Sequence, residues 1–148
     1  MINYDRLKFL LQKLINIYSP SGKEEAVIHF LRDYLSARGI ANVVLQPVDE
    51  NRCNLLVLPE SGEIRLALVG HVDTVPAPDL EAFEYRAAGD TIYGLGAADM
   101  KAGCAAMIEA YLAGQAVFPR APVALCLVVG EEENGDGAEQ LVQAYSFP

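Results

Sequence analysis

Ile64-Arg65-Leu66-Ala67-Leu68-Val69-Gly70 runs straight into His71-Val72-Asp73-Thr74-Val75-Pro76. A run this apolar predicts a central strand buried on both faces, as parallel strands covered by helices are. Val123 to Val129 repeats the pattern and runs into Gly130-Glu131-Glu132-Glu133. Between the two lies Gly94-Leu95-Gly96-Ala97-Ala98-Asp99-Met100-Lys101-Ala102-Gly103. Each of the three stretches places an imidazole or carboxylates at a strand end or a strand-to-helix turn. In open α/β sheets that edge is where ligands bind.

The flanking segments supply the covering layers. Tyr4 to about Tyr18 has Leu7, Leu10, Leu11 and Leu14 at helical spacing, and Ser19-Pro20 ends it. Ser21-Gly22-Lys23-Glu24 has the spacing of a capping box and predicts a second helix to about Arg38, with Val27, Phe30, Leu31, Tyr34 and Leu35 as its inner stripe. Both helices read as scaffold. Val43–Val48 and Asn54–Leu58 read as strands, the first near an edge because Pro47 has no amide proton to donate. Ala77 to Ala88 is polar and irregular, and Thr91-Ile92-Tyr93 is a short strand. Lys101 to about Ala116 and Gly137 to about Tyr145 read as helices. The expected class is α/β, an open sheet with few strands. Residues 1–148 read as a fragment of one α/β domain, because the pattern closes on a helix before such a sheet is complete.

The 148 residues carry a net charge of −9, 52% hydrophobic and 21% charged residues. This is a globular composition, and the acidity argues against a nucleic-acid or anionic-membrane partner. Cys53, Cys104 and Cys126 match no metal or redox spacing, which suits a reducing cytoplasm. Asp5, Arg6 and Lys8 interrupt any signal peptide, and no apolar run reaches the roughly 20 residues of a membrane span.

His71 and Asp73 stand two residues apart, so in extended chain both side chains leave on one side. A carboxylate beside a metal-binding imidazole fixes its tautomer; an isolated pair of this kind can equally bond loop backbone. His29 lies on a scaffold helix. The glycines before Asp99 lack the GK[ST] ending of a phosphate loop, and Asp99 alone would pass for a helix N-cap. Three adjacent glutamates at the end of an apolar strand need full exposure or cations. Taken together, one imidazole and several carboxylates suit divalent metals and point to a metal-assisted hydrolase.

Gly70–Pro76, Tyr93–Gly103 and Glu131–Gly135 resemble, in order and spacing, the metallo-amidohydrolases and peptidases that include acetylornithine deacetylase, succinyl-diaminopimelate desuccinylase and carboxypeptidase G. The resemblance implies a three-layer helix/mixed-sheet/helix catalytic domain, here its N-terminal half, without the lid and dimerisation domain. It implies hydrolysis of an amide bond in an N-acyl amino acid or short peptide, by two zinc or cobalt ions in the full-length homodimer. His71 would ligate one ion, Asp99 would bridge both, and Asp73 would orient His71. Counted back from Gly135, Glu133 would be a ligand and Glu132 the general base; a register slipped by one makes Glu131 the base and Glu132 the ligand. A cis peptide after Asp99 is also implied. A non-catalytic binding or assembly module of the same ancestry is the alternative, and the 148 residues alone are expected to be inactive.

Overall fold

The computed structural model describes residues 1–147. Helix α1 (Tyr4–Asn16) is capped by Asn3, whose side-chain oxygen accepts the Arg6 amide at 2.9 Å. It buries Leu10, Leu11, Leu14 and Ile15. Helix α2 (Glu25–Ser36) buries Val27, Ile28, Leu31, Tyr34 and Leu35; Ile28 takes the place expected of Phe30, which is half-buried. The capping box does not form. Glu24 occupies the cap position without a side-chain cap bond, because its carboxylate and the Ser21 hydroxyl are engaged elsewhere.

Strands β1 (Val43–Pro47), β2 (Cys53–Val57), β3 (Leu66–His71) and β6 (Val123–Val128) form one sheet in the order β1-β2-β6-β3. The pairs β1–β2 and β2–β6 are antiparallel and β3–β6 is parallel, so the sheet is mixed. Pro47 lies on the edge strand β1, where a missing donor costs no ladder bond on the open side. The two-sided burial expected of the Ile64–Val69 run does not hold. In this sheet β3 has a neighbour on one side only, and Leu66 and Val69 are 52% and 45% exposed.

Between β3 and β6, the tail of the irregular stretch, β4 (Arg86–Ala88), pairs with β5 (Thr91–Tyr93) as a small hairpin. A wide helical turn, Ala97–Lys101, then leads into helix α3 (Ala102–Val117). Its backbone leaves helical geometry at Asp99 and Met100, and the Asp99–Met100 peptide is cis, as the resemblance implied.

Alternation along β6 builds the layers. Leu125, Leu127 and Val129 face the cluster made with α1, α2 and α3; Ala124, Cys126 and Val128 face Leu141 of helix α4 (Asp136–Ala144). Helices therefore cover both faces of the sheet at β6, the three-layer arrangement. Each fully buried leucine there contributes roughly 2–3 kcal/mol. No helix among the described residues is long and apolar enough to cross a membrane.

Candidate metal centre

The parallel pair β3–β6 ends with His71 and Val128 in register, so the loops leaving the two strands emerge side by side. That register brings residues 71–74 against residues 130–132. His71 is buried at the end of β3. Its Nδ1–H donates to the Asp73 carbonyl at 3.1 Å and lies 3.4 Å from Asp73 Oδ1, an ion-pair contact rather than a hydrogen bond. This leaves Nε2 facing outward, 3.1 Å from Asp99 Oδ1 and 3.7 Å from Glu131 Oε2. The Asp73 carboxylate raises the imidazole pKa most; burial opposes it, and Asp99 and Glu131 add to the rise, which reaches about 9. Of these carboxylates, Asp99 and Glu131 lie near Nε2, the ring nitrogen open to a divalent cation.

Asp73 is fully buried and joins three segments. Its Oδ2 accepts Ser21 Oγ–H at 2.7 Å and the Glu132 amide at 3.0 Å. Burial alone would push this carboxyl up, but the contacts from His71, Ser21 and the loop amides outweigh it and hold it at about 2. Asp73 is thus an anion whose Oδ2 is committed to protein groups, while Oδ1 makes no hydrogen bond and lies 3.4 Å from His71 Nδ1.

Ligand-capable atoms of His71, Glu131 and Glu132 all lie within 4.8 Å of one another. Asp99, whose side chain is 78% exposed, reaches the same ring nitrogen from the opposite wall. Glu133 is exposed and lies outside that trio, so the structure brings together the pair of the slipped register, Glu131–Glu132, and not Glu132–Glu133. A cavity of about 400 Å³ opens beside the trio, lined by Thr74, Val75, Gly96, Ala97, Asp99 and Glu132.

Three residues to which sequence reasoning gave no role in the site sit behind this surface. Ser21 holds Asp73. Glu24 is buried and accepts the Gly130 amide at 3.1 Å. Lys101 is buried, donates Nζ–H to the Ile17 carbonyl at 2.8 Å, and is pulled down to about 8 by that burial. Their types were visible in the sequence, but the partners are distant in the chain and no spacing marks them. The Cys104 thiol donates to the His71 carbonyl at 3.0 Å, and burial raises it to about 12, so it acts as a packing group.

The sequence profile of peptidase family M20/M25/M40 matches residues 67–147, more than half of the chain. A probable carboxypeptidase of Aspergillus fumigatus is 34% identical over 164 aligned residues, which cover 97% of this chain and 37% of that protein. A probable succinyl-diaminopimelate desuccinylase of Staphylococcus aureus is 31% identical, over 89% of this chain and 34% of its own. Among solved structures, a tripeptidase from Staphylococcus aureus superposes with a TM-score of 0.73 at 28% identity, over 97% of this chain and 41% of that one. Aminopeptidase PepT from Bacillus cereus gives 0.74 at 25% identity, over 93% and 39%. The chain spans between a third and about two-fifths of the length of these relatives. The profile match, the three motifs at adjoining loops and the shared fold give one conclusion: the chain belongs to peptidase family M20/M25/M40.

Proposed function

We propose that these residues form part of the metal-binding site of an amide hydrolase acting on an N-acyl amino acid or a short peptide. The observation that carries this reading is the convergence of His71, Glu131 and Glu132 within 4.8 Å, with Asp99 at 3.1 Å from the outward ring nitrogen. One imidazole and several carboxylates are a donor set that suits zinc or cobalt. His71 through Nε2, Asp99 and Glu132 would hold the ions. Bound there, a divalent ion supplies a Lewis acid that polarises the scissile carbonyl and makes water a better nucleophile.

The chain's own groups do the rest. The Asp73 carbonyl keeps the proton on Nδ1 of His71, which aims Nε2 at the site. Glu131 takes a proton from the attacking water and returns it to the leaving amine. This assignment follows the slipped register, because Glu131 and Glu132 share the trio with His71. Val75 and Ala97 in the adjoining cavity keep water off one side of the substrate. The full-length protein is proposed to be a cytoplasmic homodimer, on the free thiols Cys53, Cys104 and Cys126 and on the resemblance.

Two catalytic zinc ions would take about three protein ligands each, more than His71, Asp99 and Glu132 offer, so the 148 residues alone are proposed to bind metal weakly and to leave substrate intact. Zinc titration of variants tests the site. Zinc affinity is expected to fall at least tenfold in His71→Ala and Glu132→Ala, and to stay within threefold in Glu133→Ala. Loss in Glu133→Ala with retention in Glu132→Ala would restore the other register. Equal affinity in all three would remove the metal reading, and robust deacylation by the 148 residues would overturn the proposed inactivity.

A further inference from the structure

The segment Ser19–Glu24 touches both loops of the candidate site from behind. Ser19 Oγ–H donates to the Val72 carbonyl at 2.9 Å, and the Ser19 carbonyl accepts the Thr74 amide at 3.0 Å. The Ser21 amide donates to the Thr74 carbonyl at 3.2 Å, and the Ser21 hydroxyl binds Asp73. Residues 72–74 are therefore held along their backbone and at one carboxylate by a turn 50 residues earlier in the chain.

Glu24 does the same for the second loop. Its carboxylate, 1% exposed, accepts the amide of Gly130, the residue immediately before Glu131 and Glu132. Arg52 flanks this contact, 3.8 Å from Glu24 Oε1 and paired with Asp136 and with Asp49 at 2.7 Å. Gly130 has φ +73°, and a Cβ there would lie 2.8 Å from Arg52 Nη1 and closer still to Asp136. The backbone direction at Gly130 thus follows from a buried acceptor on one side and an ion pair on the other. A carboxylate this buried would ordinarily be avoided. A purely structural cap would bond the amides of its own helix, and Glu24 bonds none of them.

We propose that Glu24 is a positioning residue: by accepting the Gly130 amide it sets where Glu131 and Glu132 stand relative to His71. The role in metal binding rests on the function proposed above; the clamp itself does not. Glu24 touches neither substrate nor ion and acts through the loop backbone. What matters is then an acceptor oxygen at the right reach, and the negative charge is secondary.

The test compares three variants of the chain. Glu24→Gln keeps the acceptor and its reach and loses the charge. Glu24→Asp keeps the charge and shortens the reach. Glu24→Ala removes both. Hydrogen exchange at the Gly130 and Glu132 amides is measured without metal, and affinity is measured by titration with cobalt(II). Exchange at both amides is expected to accelerate at least tenfold in the Asp and Ala variants and to stay near wild type in the Gln variant. Cobalt affinity is expected to follow the same order, falling tenfold in Asp and Ala. If Ala fails to fold, Asp against Gln carries the test. Unchanged exchange at Gly130 in Glu24→Asp would overturn the clamp. Faster exchange with unchanged cobalt affinity would overturn the positioning role. Absence of cobalt binding by the wild type, with exchange responding as expected, would count against the metal reading and leave the clamp standing.

Discussion

β3 and β6 pair in parallel over six residues and are almost equally apolar, yet they occupy opposite situations. β6 lies between β2 and β3, and five of its six residues are buried. β3 forms the border of the sheet, with Leu66 and Val69 open to solvent and burial complete only at Gly70 and His71. Apolar composition therefore reports a strand's capacity for burial; the number of neighbours is set by the topology. The buried end of β3 is the end that carries the candidate site. There the Ser19–Glu24 turn, the 130–132 loop and Met100 close over it, and Met100 Sδ accepts the His71 amide at 3.4 Å.

Four substitutions can break or sharpen this contrast. The largest effect is expected in β6. Leu127→Ala opens a cavity in a core that encloses this side chain completely, and should lower the unfolding free energy by about 3–4 kcal/mol in urea titrations. A loss below about 1 kcal/mol would mean that the core around β6 collapses into the gap. Next come the glycines where the two strands end. Gly130→Ala combines a left-handed backbone with neighbours held in an ion pair, Arg52 and Asp136, and is expected to cost about 2–3 kcal/mol. Gly70→Ala meets chiefly the Met107 methyl at 2.4 Å, the far end of a flexible side chain, and should cost about 1 kcal/mol. Equal losses at the two glycines would erase the distinction between a fixed and a yielding strand end. The smallest effect is expected at Val69→Ala on the border strand, about 0.5 kcal/mol or less in the same titration. A loss near that of Leu127→Ala would show that β3 is covered in solution.

Much of this was legible in the sequence, for identifiable reasons. Helices α1 and α2 follow from the spacing of Leu10, Leu14, Val27 and Leu31, because periodicity is a local property. The three chemical stretches were visible because each follows a strand or a tight turn. Strand order was not visible: β3 and β6 differ little in composition, and only pairing assigns the border. The capping-box spacing of Ser21 and Glu24 misled for a related reason. Both side chains are taken by partners 52 and 106 residues away, and a distant bond can outcompete a local one without altering the local pattern. The acidic triplet shows a third limit. Three identical residues in a row offer no way to count from either end, and the geometry around His71 is what separates Glu131 and Glu132 from Glu133.

The long reach of those bonds bears on how small a working piece of this protein can be. The family profile begins at Ala67, after both N-terminal helices and the turn between them. A piece cut there would retain His71, Asp73, Asp99 and all three glutamates, every candidate residue named in the three motifs. It would lack the Ser21 hydroxyl on Asp73, the Glu24 acceptor for Gly130 and the β2 neighbour of β6. The residues proposed to do the chemistry and the residues that hold their loops occupy different stretches of chain, and a boundary drawn around the first leaves the second behind.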